Sequence, residues 1–428
     1  MSMLVDPADQ RFDPAQRAFV QAHREADPNA LALKRAPPGI DLKLALEQVR
    51  AWQKLRQKAP TWAALPDLVL PGPISIEQAS SPFAAAYKAS LITQDTVIDL
   101  CGGLGLDTLA FAARRTALAD GAQPADAPRR VTRHVERDPM ISRCFAWNAP
   151  RLGFPEVEVC NLTAEQAVDE LPTGCTVYLD PARRAPNATA VAGLGAARVA
   201  AFADSSPDVT ALLPIFRARD ATVLIKASPM LDLVAGAMAL GAVTAIHVVS
   251  VDNVCREVLF LLQSGVVAPA LDDIPITCAV FDRVGGLTRW VGSRAVESAA
   301  LPDFGPPGRY LLDADVAIRK AGLFRHLATG LGLRKLAPNT HLYSADQKPE
   351  SFPGRVFEVE KDGVTDPRRL LPEGRAQVIS RNHPLGAEAL RARYKLREGD
   401  EHALIGYRDH GNRPRLAVAR RISQSWTG

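Results

Sequence analysis

Hydrophobic residues recur every three to four positions in the first part of the chain. Leu42, Leu46, Val49, Trp52 and Leu55 have this spacing, which places their side chains on one face of an α-helix. The proline-rich stretch "APTWAALPDLVLPGP" follows and is typical of a linker. The pattern predicts an N-terminal helical domain over residues 1–70.

A second helical pattern leads into the first predicted strand. Phe83, Tyr87 and Leu91 are four residues apart and follow a serine, which is a favoured helix N-cap. Lys88 lies beside this apolar stripe. We therefore expect a helix here that packs its apolar face inward.

From about residue 96, short runs of Val, Ile and Leu alternate with helix-like stretches. Such alternation is typical of a parallel sheet with helices on both faces. The last two runs are separated by only five residues, too few for a parallel crossover, so they should pair antiparallel. Seven strands are predicted, at residues 96–100, 131–135, 156–160, 175–179, 222–226, 244–251 and 257–262.

The pattern changes again beyond residue 265, where strands become shorter and prolines more frequent. From Asp366 to the C-terminus there are 13 Lys and Arg against 7 Asp and Glu, whereas the whole chain has a net charge of only +4. A local basic excess is typical of an element that meets phosphate groups, and a solvated charged surface is the alternative. We place domain boundaries near residues 265 and 350.

Bulk composition limits the class of protein. A chain of 428 residues exceeds one ordinary domain, and 47% hydrophobic with 23% charged residues is typical of a folded protein in water. No apolar run approaches the roughly 20 residues of a membrane span. The N-terminus "MSMLVDPADQRFDP" has acids and prolines in place of a secretory signal, so we expect a cytoplasmic protein.

Cysteine and histidine usage gives no metal or disulfide signature. The six cysteines contain no CxxC pair and the eight histidines no HExxH spacing. We therefore expect reduced cysteines and no metal.

The stretch "VIDLCGGLGLD" at residues 97–107 carries the strongest chemical signal. Its apolar run ends at an acid, and three glycines follow within six positions. Glycines directly after a strand let the backbone turn tightly and leave its amides open to a ligand. A dinucleotide site would need GxGxxG, which this stretch does not contain.

The form DxxxGxG resembles motif I of the class I S-adenosylmethionine-dependent methyltransferases, with Cys101 where the usual pattern has its first glycine. The resemblance implies an α/β fold with a seven-stranded Rossmann-like sheet ending in a hairpin, and S-adenosylmethionine as the cofactor. It also implies that Asp99, Gly103, Gly105 and Asp107 bind that cofactor.

Two further cofactor contacts follow from the same resemblance. Glu136 in "HVERDP" ends the second predicted strand, where the family has an acid that accepts hydrogen bonds from the ribose hydroxyls. Asn161 in "VCNLTAE" lies after the third strand, as a neutral substitute for an acid near the adenine amine.

The stretch "YLDPARR" ends the fourth predicted strand, where such enzymes have their substrate-facing motif. The resemblance implies that Asp180 and Pro181 face the methyl acceptor. Arg183 replaces the aromatic residue of amino-methylating enzymes and is expected to stack on a base or contact a phosphate. Lys88 and Lys226 are also expected to contact phosphate or base.

A second comparison concerns the uracil-5 RNA methyltransferases. "LDPAR" looks like their corresponding motif, and "REVLFLL" with Glu257 resembles the strand that carries their base-abstracting glutamate. Those enzymes need a cysteine nucleophile after the fifth strand, but Ala227, Ser228 and Pro229 stand there. Ser228 and Glu257 remain predicted substrate contacts, although the uracil reaction lacks its nucleophile.

The whole chain resembles a bacterial family of class I methyltransferases that carries a ferredoxin-like domain and a C-terminal THUMP-like domain. The resemblance covers roughly residues 75–385 and implies a methyltransferase domain over 71–264, a ferredoxin-like α+β domain over 265–350 and a THUMP-like domain over 351–428. It rests on "EQASSPFAAAYKASLI", "DLCGGLGLDT", "YLDPARR", "IKASPMLDL", "VVSVDNVCREVLF", "RKAGLF", "LAPNTHLYSAD", "SFPGRVFEV" and "SRNHPL".

Three functions are compatible with these patterns. The first is a methyltransferase acting on a base of structured RNA, tRNA or rRNA, because THUMP domains in general bind RNA and the tail is basic. The second is a methyltransferase of a protein or small molecule. The third is an RNA-binding protein without catalytic activity, which the substitutions at Cys101 and Asn161 would allow.

Overall fold

The computed structural model describes residues 9–114, 131–183 and 202–422, except for the side chain of Arg183. The chain forms two compact units, described separately below. The first unit comprises Met1–Ala227, Ala239–Gly241 and Phe260–Val266, and the second comprises Ser228–Met238, Ala242–Leu259 and Val267–Gly428.

The α-helices of the described residues are α1 (Pro14–His23), α2 (Pro28–Ala32), α3 (Leu42–Lys58), α4 (Pro60–Ala63), α5 (Pro73–Gln78), α6 (Pro82–Ser90), α7 (Leu106–Ala113), α8 (Pro139–Arg151), α9 (Ala164–Ala167), α10 (Val209–Ala218), α11 (Leu233–Leu240), α12 (Arg294–Ala299), α13 (Val316–Ala321), α14 (Phe324–Gly330) and α15 (Ala387–Arg393). None of these helices is both long enough and apolar enough to cross a membrane.

The strands of the described residues are β1 (Thr96–Asp99), β2 (Val131–Val135), β3 (Glu158–Cys160), β4 (Thr176–Leu179), β5 (Ala182–Arg183), β6 (Ser205–Ser206), β7 (Thr222–Ala227), β8 (Ala245–Val251), β9 (Val254–Leu262), β10 (Ile276–Phe281), β11 (Leu287–Gly292), β12 (Tyr310–Ala314), β13 (Arg334–Ala337), β14 (Thr340–Ala345), β15 (Gly354–Asp362), β16 (Gln377–Arg381), β17 (His402–Arg408) and β18 (Pro414–Ile422).

The N-terminal helices begin at aspartate caps and bury the predicted apolar face. The Asp41 side chain accepts a hydrogen bond from the Leu44 N–H at the start of α3, satisfying a donor that the first helical turn leaves free. Val49, Trp52 and Leu55 are buried, as their spacing predicts. These helices share one core with Leu104 and Leu106, so they support the glycine-rich loop from below.

The first unit contains a sheet with the strand order β9-β7-β4-β1-β2-β3, in which β9 contributes Phe260–Leu262. β1 pairs in parallel with both β2 and β4, and β4 pairs in parallel with β7. The tips of β1, β2 and β4 therefore lie side by side. This arrangement is the usual position of a ligand crevice in open α/β sheets.

The seven predicted strands are all present, as β1, β2, β3, β4, β7, β8 and β9. Strand pairing continues past the boundary predicted near residue 265, because β10 pairs in parallel with β8, and β11 pairs antiparallel with β10. The domain boundaries themselves stay predictions. The second unit thus contains the strand order β11-β10-β8-β9. Both strands fall within residues 265–350, which the resemblance assigns to the ferredoxin-like domain. The local sequence pattern of a strand does not show which sheet the strand joins.

A second sheet of seven strands follows in the second unit, in the order β13-β14-β12-β15-β18-β17-β16. Its pairs are antiparallel except for β16 and β17, which run parallel. Leu311, Phe357, Ile405 and Tyr407 are fully buried in one of its cores. The predicted α+β character of the C-terminal region is confirmed.

Candidate active site

A crevice of about 320 Å³ opens in the first unit at the carboxyl ends of the parallel strands. The loop after β1 forms its floor, Glu136, Arg137 and Asp138 after β2 form one side, and Asp180 after β4 forms another. Short segments complete it: Ser75, Gln78, Ala79 and Ser80 around α5, Leu162, Thr163, Ala164 and Glu165 after β3, and Ser206 and Pro207 at the end of β6.

The glycine-rich loop is shaped by two aromatic rings beneath it. A Cβ on Gly102 would overlap the ring of His134, and a Cβ on Gly105 would overlap the ring of Phe145. These two rings stack with their centroids 3.7 Å apart. Gly103 and Gly105 also have φ values of +53° and +89°, which L-residues with a side chain rarely adopt.

Asp99 fixes the start of this loop and is not among the residues that line the crevice. Its predicted contact with the cofactor stays a prediction. Its side chain is fully buried and accepts hydrogen bonds from the Cys101 N–H at 3.1 Å and the Thr108 hydroxyl at 2.6 Å. The Thr108 Oγ1 also lies 2.9 Å from His134 Nδ1. Burial, with a smaller effect of Asp107, raises the pKa of Asp99 to about 7 despite these two hydrogen bonds.

Cys101 lies in the loop at the crevice wall. Burial, followed by the nearby carboxylates of Asp99 and Asp180, raises its pKa well above the usual range. The thiol therefore stays protonated at neutral pH and is a poor nucleophile.

Glu136 lies in the crevice, where its position was predicted. Its Oε2 accepts a hydrogen bond from the Gly103 N–H at 2.9 Å, and its Oε1 accepts one from the Asp138 N–H at 2.7 Å. A carboxylate has about four lone-pair sites, so two remain. Glu136 can thus hold the loop and still accept two hydroxyl groups of a ligand.

Asn161 supports Glu136 from behind and does not line the crevice directly. Its amide nitrogen donates to the backbone carbonyls of Glu136 and Arg137, at 2.7 and 3.1 Å. The adjacent residues 162–165 form the wall there. A contact between Asn161 and a bound base stays a prediction.

Asp107 faces the crevice at the start of α7 and is the centre of a buried polar network. It accepts hydrogen bonds from the hydroxyls of Ser80 and Tyr178, both at 2.8 Å, and the Lys88 Nζ lies 3.0 Å from its Oδ1. Burial alone would raise the pKa of Asp107, but Lys88 and Lys226, together with these hydrogen bonds, outweigh burial and lower it. Asp107 is therefore ionised.

Lys88 is not among the residues that line the crevice, and its predicted contact with phosphate or base stays a prediction. The side chain is completely buried and also donates to the Ser80 hydroxyl at 2.7 Å. A lysine buried beside a carboxylate neutralises that carboxylate. Lys88 therefore stabilises the crevice wall from inside.

Asp180 lies in the crevice at the end of β4, and its Oδ2 is 2.5 Å from the Nζ of Lys226 on β7. The carboxylate is partly exposed and the lysine mostly buried. Lys226 therefore fixes the orientation of Asp180. Pro181 follows directly, and the side chain of Arg183 lies outside the described part of the structure.

Ser228 and Glu257 belong to the second unit. Glu257 is buried on β9. Neither residue lines the crevice of the first unit, and their predicted substrate contacts stay predictions.

Sequence reasoning missed several crevice residues. Gln78 and Ser80 come from "EQASSPFAAAYKASLI", a stretch that carries the family resemblance but from which only Lys88 is predicted as a contact. The Arg137 guanidinium donates to the Ser206 hydroxyl at 2.8 Å across the crevice. Ser80 lies between α5 and α6, so the helical spacing that predicts α6 does not extend to it.

The crevice lining is predominantly acidic. Among the described residues, Asp107, Glu136, Asp138, Glu165 and Asp180 line it, against one arginine, Arg137. In the described part of the chain, no group of three or more His, Cys, Asp or Glu side chains is arranged to hold a metal ion. The acids are instead suited to a cationic organic ligand.

Comparison with known proteins agrees with this geometry. Residues 310–353 match the family model of a ferredoxin-like domain, and residues 354–421 match that of a THUMP-like domain. A crystal structure of a candidate methyltransferase from Porphyromonas gingivalis W83 superposes with a TM-score of 0.78 at 27% identity, covering 97% of this chain and 99% of the other. The chain has a methyltransferase fold with ferredoxin-like and THUMP-like domains.

Two curated relatives come from Mycobacterium tuberculosis strains CDC 1551 / Oshkosh and ATCC 25618 / H37Rv. Each is described as an uncharacterized S-adenosylmethionine-dependent methyltransferase and is 28% identical over 291 residues, which is 67% of this chain and 70% of the relative. The predicted resemblance, fold class and enzyme class are confirmed, and these relatives have the predicted cofactor. The ferredoxin-like match begins at residue 310, later than the predicted 265, consistent with β10 and β11 extending the other sheet.

Proposed function

We propose that the methyltransferase fold of the first unit transfers a methyl group from S-adenosylmethionine to a base of structured RNA, tRNA or rRNA. The observation that carries the proposal is the acidic crevice at the strand tips, in which Glu136 is bonded to the glycine-rich loop. A cytoplasmic location, as the sequence predicts, is part of this proposal.

The residues present fit this cofactor better than a dinucleotide. S-adenosylmethionine carries a sulfonium and an ammonium cation, which carboxylates stabilise. The pyrophosphate of a dinucleotide would instead be repelled by Asp107, Glu136 and Asp180. Glu136 would hold the ribose hydroxyls, and the open amides of the loop would lie against the amino-acid end of the cofactor.

When bound, the cofactor supplies an electrophilic methyl group. Asp180 accepts a hydrogen bond from an N–H or O–H of the acceptor and so aligns it for in-line displacement, which is where most of the rate enhancement should arise. Lys226 keeps this carboxylate in one orientation. Cys101 takes no covalent role, since its thiol is protonated.

The RNA part of the proposal is supported by the second unit. Residues 354–421 match a THUMP-like domain, and several basic side chains there are exposed. Arg415 and Arg420 form ion pairs with acids, but among the described residues Arg368, Arg393 and Lys395 form none with any acid. Such side chains can neutralise phosphates.

The experiment is methyl transfer from tritiated S-adenosylmethionine to bulk bacterial RNA. The wild type should label RNA, and Asp180→Asn should reduce labelling by about 100-fold or more while S-adenosylhomocysteine affinity changes by only a few-fold. Asp169→Asn, an exposed aspartate that does not line the crevice, is the matched control. Labelling of protein or small molecules in place of RNA would favour the second function, and unchanged labelling by the variant would remove Asp180 from the mechanism.

A further inference from the structure

Three motifs of the C-terminal half are not explained by the methyl-transfer crevice. "DADVAIRKAGLF", "SFPGRVFEV" and "SRNHPL" are far apart along the chain. In the second unit they bring three arginines to one buried aspartate. We call this set, Asp313, Arg319, Arg355 and Arg381, the arginine cluster.

Each arginine contacts the same carboxylate. Arg381 is bidentate, with Nε 2.7 Å from Asp313 Oδ1 and Nη2 3.0 Å from Oδ2. Arg355 donates from Nη2 to Oδ2. Arg319 lies 3.5 Å from Oδ1 and donates to the Ala314 carbonyl at 2.9 Å.

The fold builds the cluster from non-neighbouring strands. Asp313 on β12 and Arg355 on β15 are directly opposite in the antiparallel register. Gly354 permits this close pairing, because a Cβ there would overlap the Asp313 carbonyl oxygen. Arg381 is the last residue of β16, an edge strand of the same sheet. Its bonds to Asp313 therefore also connect that edge strand to β12.

The charges of the cluster are not balanced. Three guanidinium groups face one carboxylate, and arginine stays protonated in proteins. The other nearby acid, Asp315, contacts the Ser250 hydroxyl and the Ala317 N–H and adds at most one further negative charge, so a positive excess remains. Burial, with smaller contributions from Lys335, Arg381 and Arg319, lowers the pKa of His341 to about 4, so that ring is neutral.

The excess charge is held in a partly buried place. Asp313 is fully buried, whereas the arginine side chains are 23%, 14% and 21% exposed for Arg319, Arg355 and Arg381. Burial penalises Arg319, and the adjacent guanidiniums add to this effect, so its pKa is lowered in spite of Asp313. The Asp313 carboxylate is thus the innermost group of the cluster, and the edges of the guanidinium groups are exposed to solvent.

Hydrogen-bond donors also remain available. Each guanidinium has five N–H groups. Arg355 donates to Asp313 from Nη2, and its side chain is 14% exposed, so the described contacts use only part of its donors. A purely structural ion pair needs one arginine per carboxylate, and each further cation adds repulsion.

We propose that the arginine cluster binds a phosphate group. A phosphate would supply the missing negative charge and acceptors for the unused N–H groups, and planar guanidiniums match its oxygens. The source is either the RNA backbone, which rests on the proposed function, or a free phosphate or nucleotide. The experiment separates these two sources.

The first arm measures thermal unfolding of the full chain in sodium phosphate and in sodium chloride at equal ionic strength. Phosphate should raise the unfolding temperature of the wild type by about 2 °C or more. Phosphate should not raise the unfolding temperature of Arg355→Gln. In chloride this variant should be no less stable than the wild type, because removing one guanidinium relieves the repulsion within the cluster. Arg309→Gln is the matched control, since Arg309 is an exposed arginine of the same sheet paired with Glu358. If Arg355→Gln fails to fold, the same measurement is made on Arg319→Gln.

The second arm titrates bulk bacterial tRNA by fluorescence anisotropy over a range of salt concentrations. If the site binds an RNA phosphate, Arg355→Gln should weaken tRNA binding about 3–10-fold. The slope of log affinity against log salt concentration should become shallower by about 0.7–0.9, which corresponds to the loss of one phosphate contact. Loss of the phosphate increment with an unchanged tRNA slope assigns the site to a free phosphate or nucleotide.

The proposal is overturned if phosphate does not stabilise the wild type and the tRNA slope of Arg355→Gln equals that of Arg309→Gln. Absence of any wild-type tRNA binding would instead count against the proposed function, because the phosphate arm tests the cluster independently of RNA.

Discussion

Individual glycines in the loop have different physical roles, which the spacing alone does not separate. The pattern DxxxGxG directs attention to Gly103 and Gly105, but Gly102 is the one that lies against the His134 ring. That contact joins residues 32 positions apart in the sequence. The loop could be predicted from the glycines, whereas the ring beneath it could not.

Gly102→Ala should weaken S-adenosylhomocysteine binding by at least 10-fold and destabilise the fold by about 1–3 kcal/mol, because the new methyl group forces the loop or His134 to move. Calorimetry and urea denaturation measure the two effects. Gly386→Ala, at a position where a Cβ meets no atom within 4 Å and φ is −66°, controls for the loss of a glycine without a clash. Binding by Gly102→Ala as tight as that of the wild type would contradict the steric argument.

Asp99 should make stability depend on pH. Its pKa is about 7 in the folded protein and 3.8 in the absence of burial, so the folded state binds the proton more tightly. Its contribution is most favourable below about pH 4 and is lost as pH rises to about 7.

Asp99→Asn removes this titration, can still accept the bond from the Cys101 N–H, and can donate from its amide nitrogen to the Thr108 Oγ1. It should therefore gain stability relative to the wild type between pH 5 and pH 8, by up to about 4 kcal/mol. Urea denaturation at both pH values measures the difference. Parallel pH profiles for the two proteins would show that Asp99 does not titrate in this range.

Among the elements, helices and parallel strands were predictable because their periodicity is local. The burial of Lys88 could not be predicted, because the residue spacing on α6 does not show that Asp107 of α7 lies opposite the lysine. The sequence also did not predict that β10 extends the sheet, because its pairing with β8 joins segments about 30 residues apart. The arginine cluster was likewise visible only as three separate motifs.

The contact between α6, α7 and β4 depends on the buried pair of Lys88 and Asp107. Lys88→Met should destabilise the protein by about 3–5 kcal/mol, because it leaves a buried carboxylate without its cation. The double variant with Asp107→Asn should recover part of this loss, which a double-mutant cycle in urea measures. Additive losses would show that the two side chains are not coupled.

At the scale of the whole molecule, the account assigns cofactor binding to the first unit and phosphate binding to the second. Raising NaCl from 50 to 200 mM should therefore reduce tRNA affinity by about 10-fold or more through counterion release. The affinity for S-adenosylhomocysteine should change by less than about 2-fold, because few phosphate contacts are involved. Anisotropy and calorimetry measure these affinities, and a salt-insensitive tRNA affinity would argue against RNA as the substrate.

The most direct test of the central claim is a crystal structure of the full chain with S-adenosylhomocysteine. The account predicts the ligand in the crevice of the first unit, with its ribose hydroxyls donating to Glu136 and its sulfur facing Asp180. Ligand bound elsewhere, or a crevice that stays empty at saturating concentration, would contradict it.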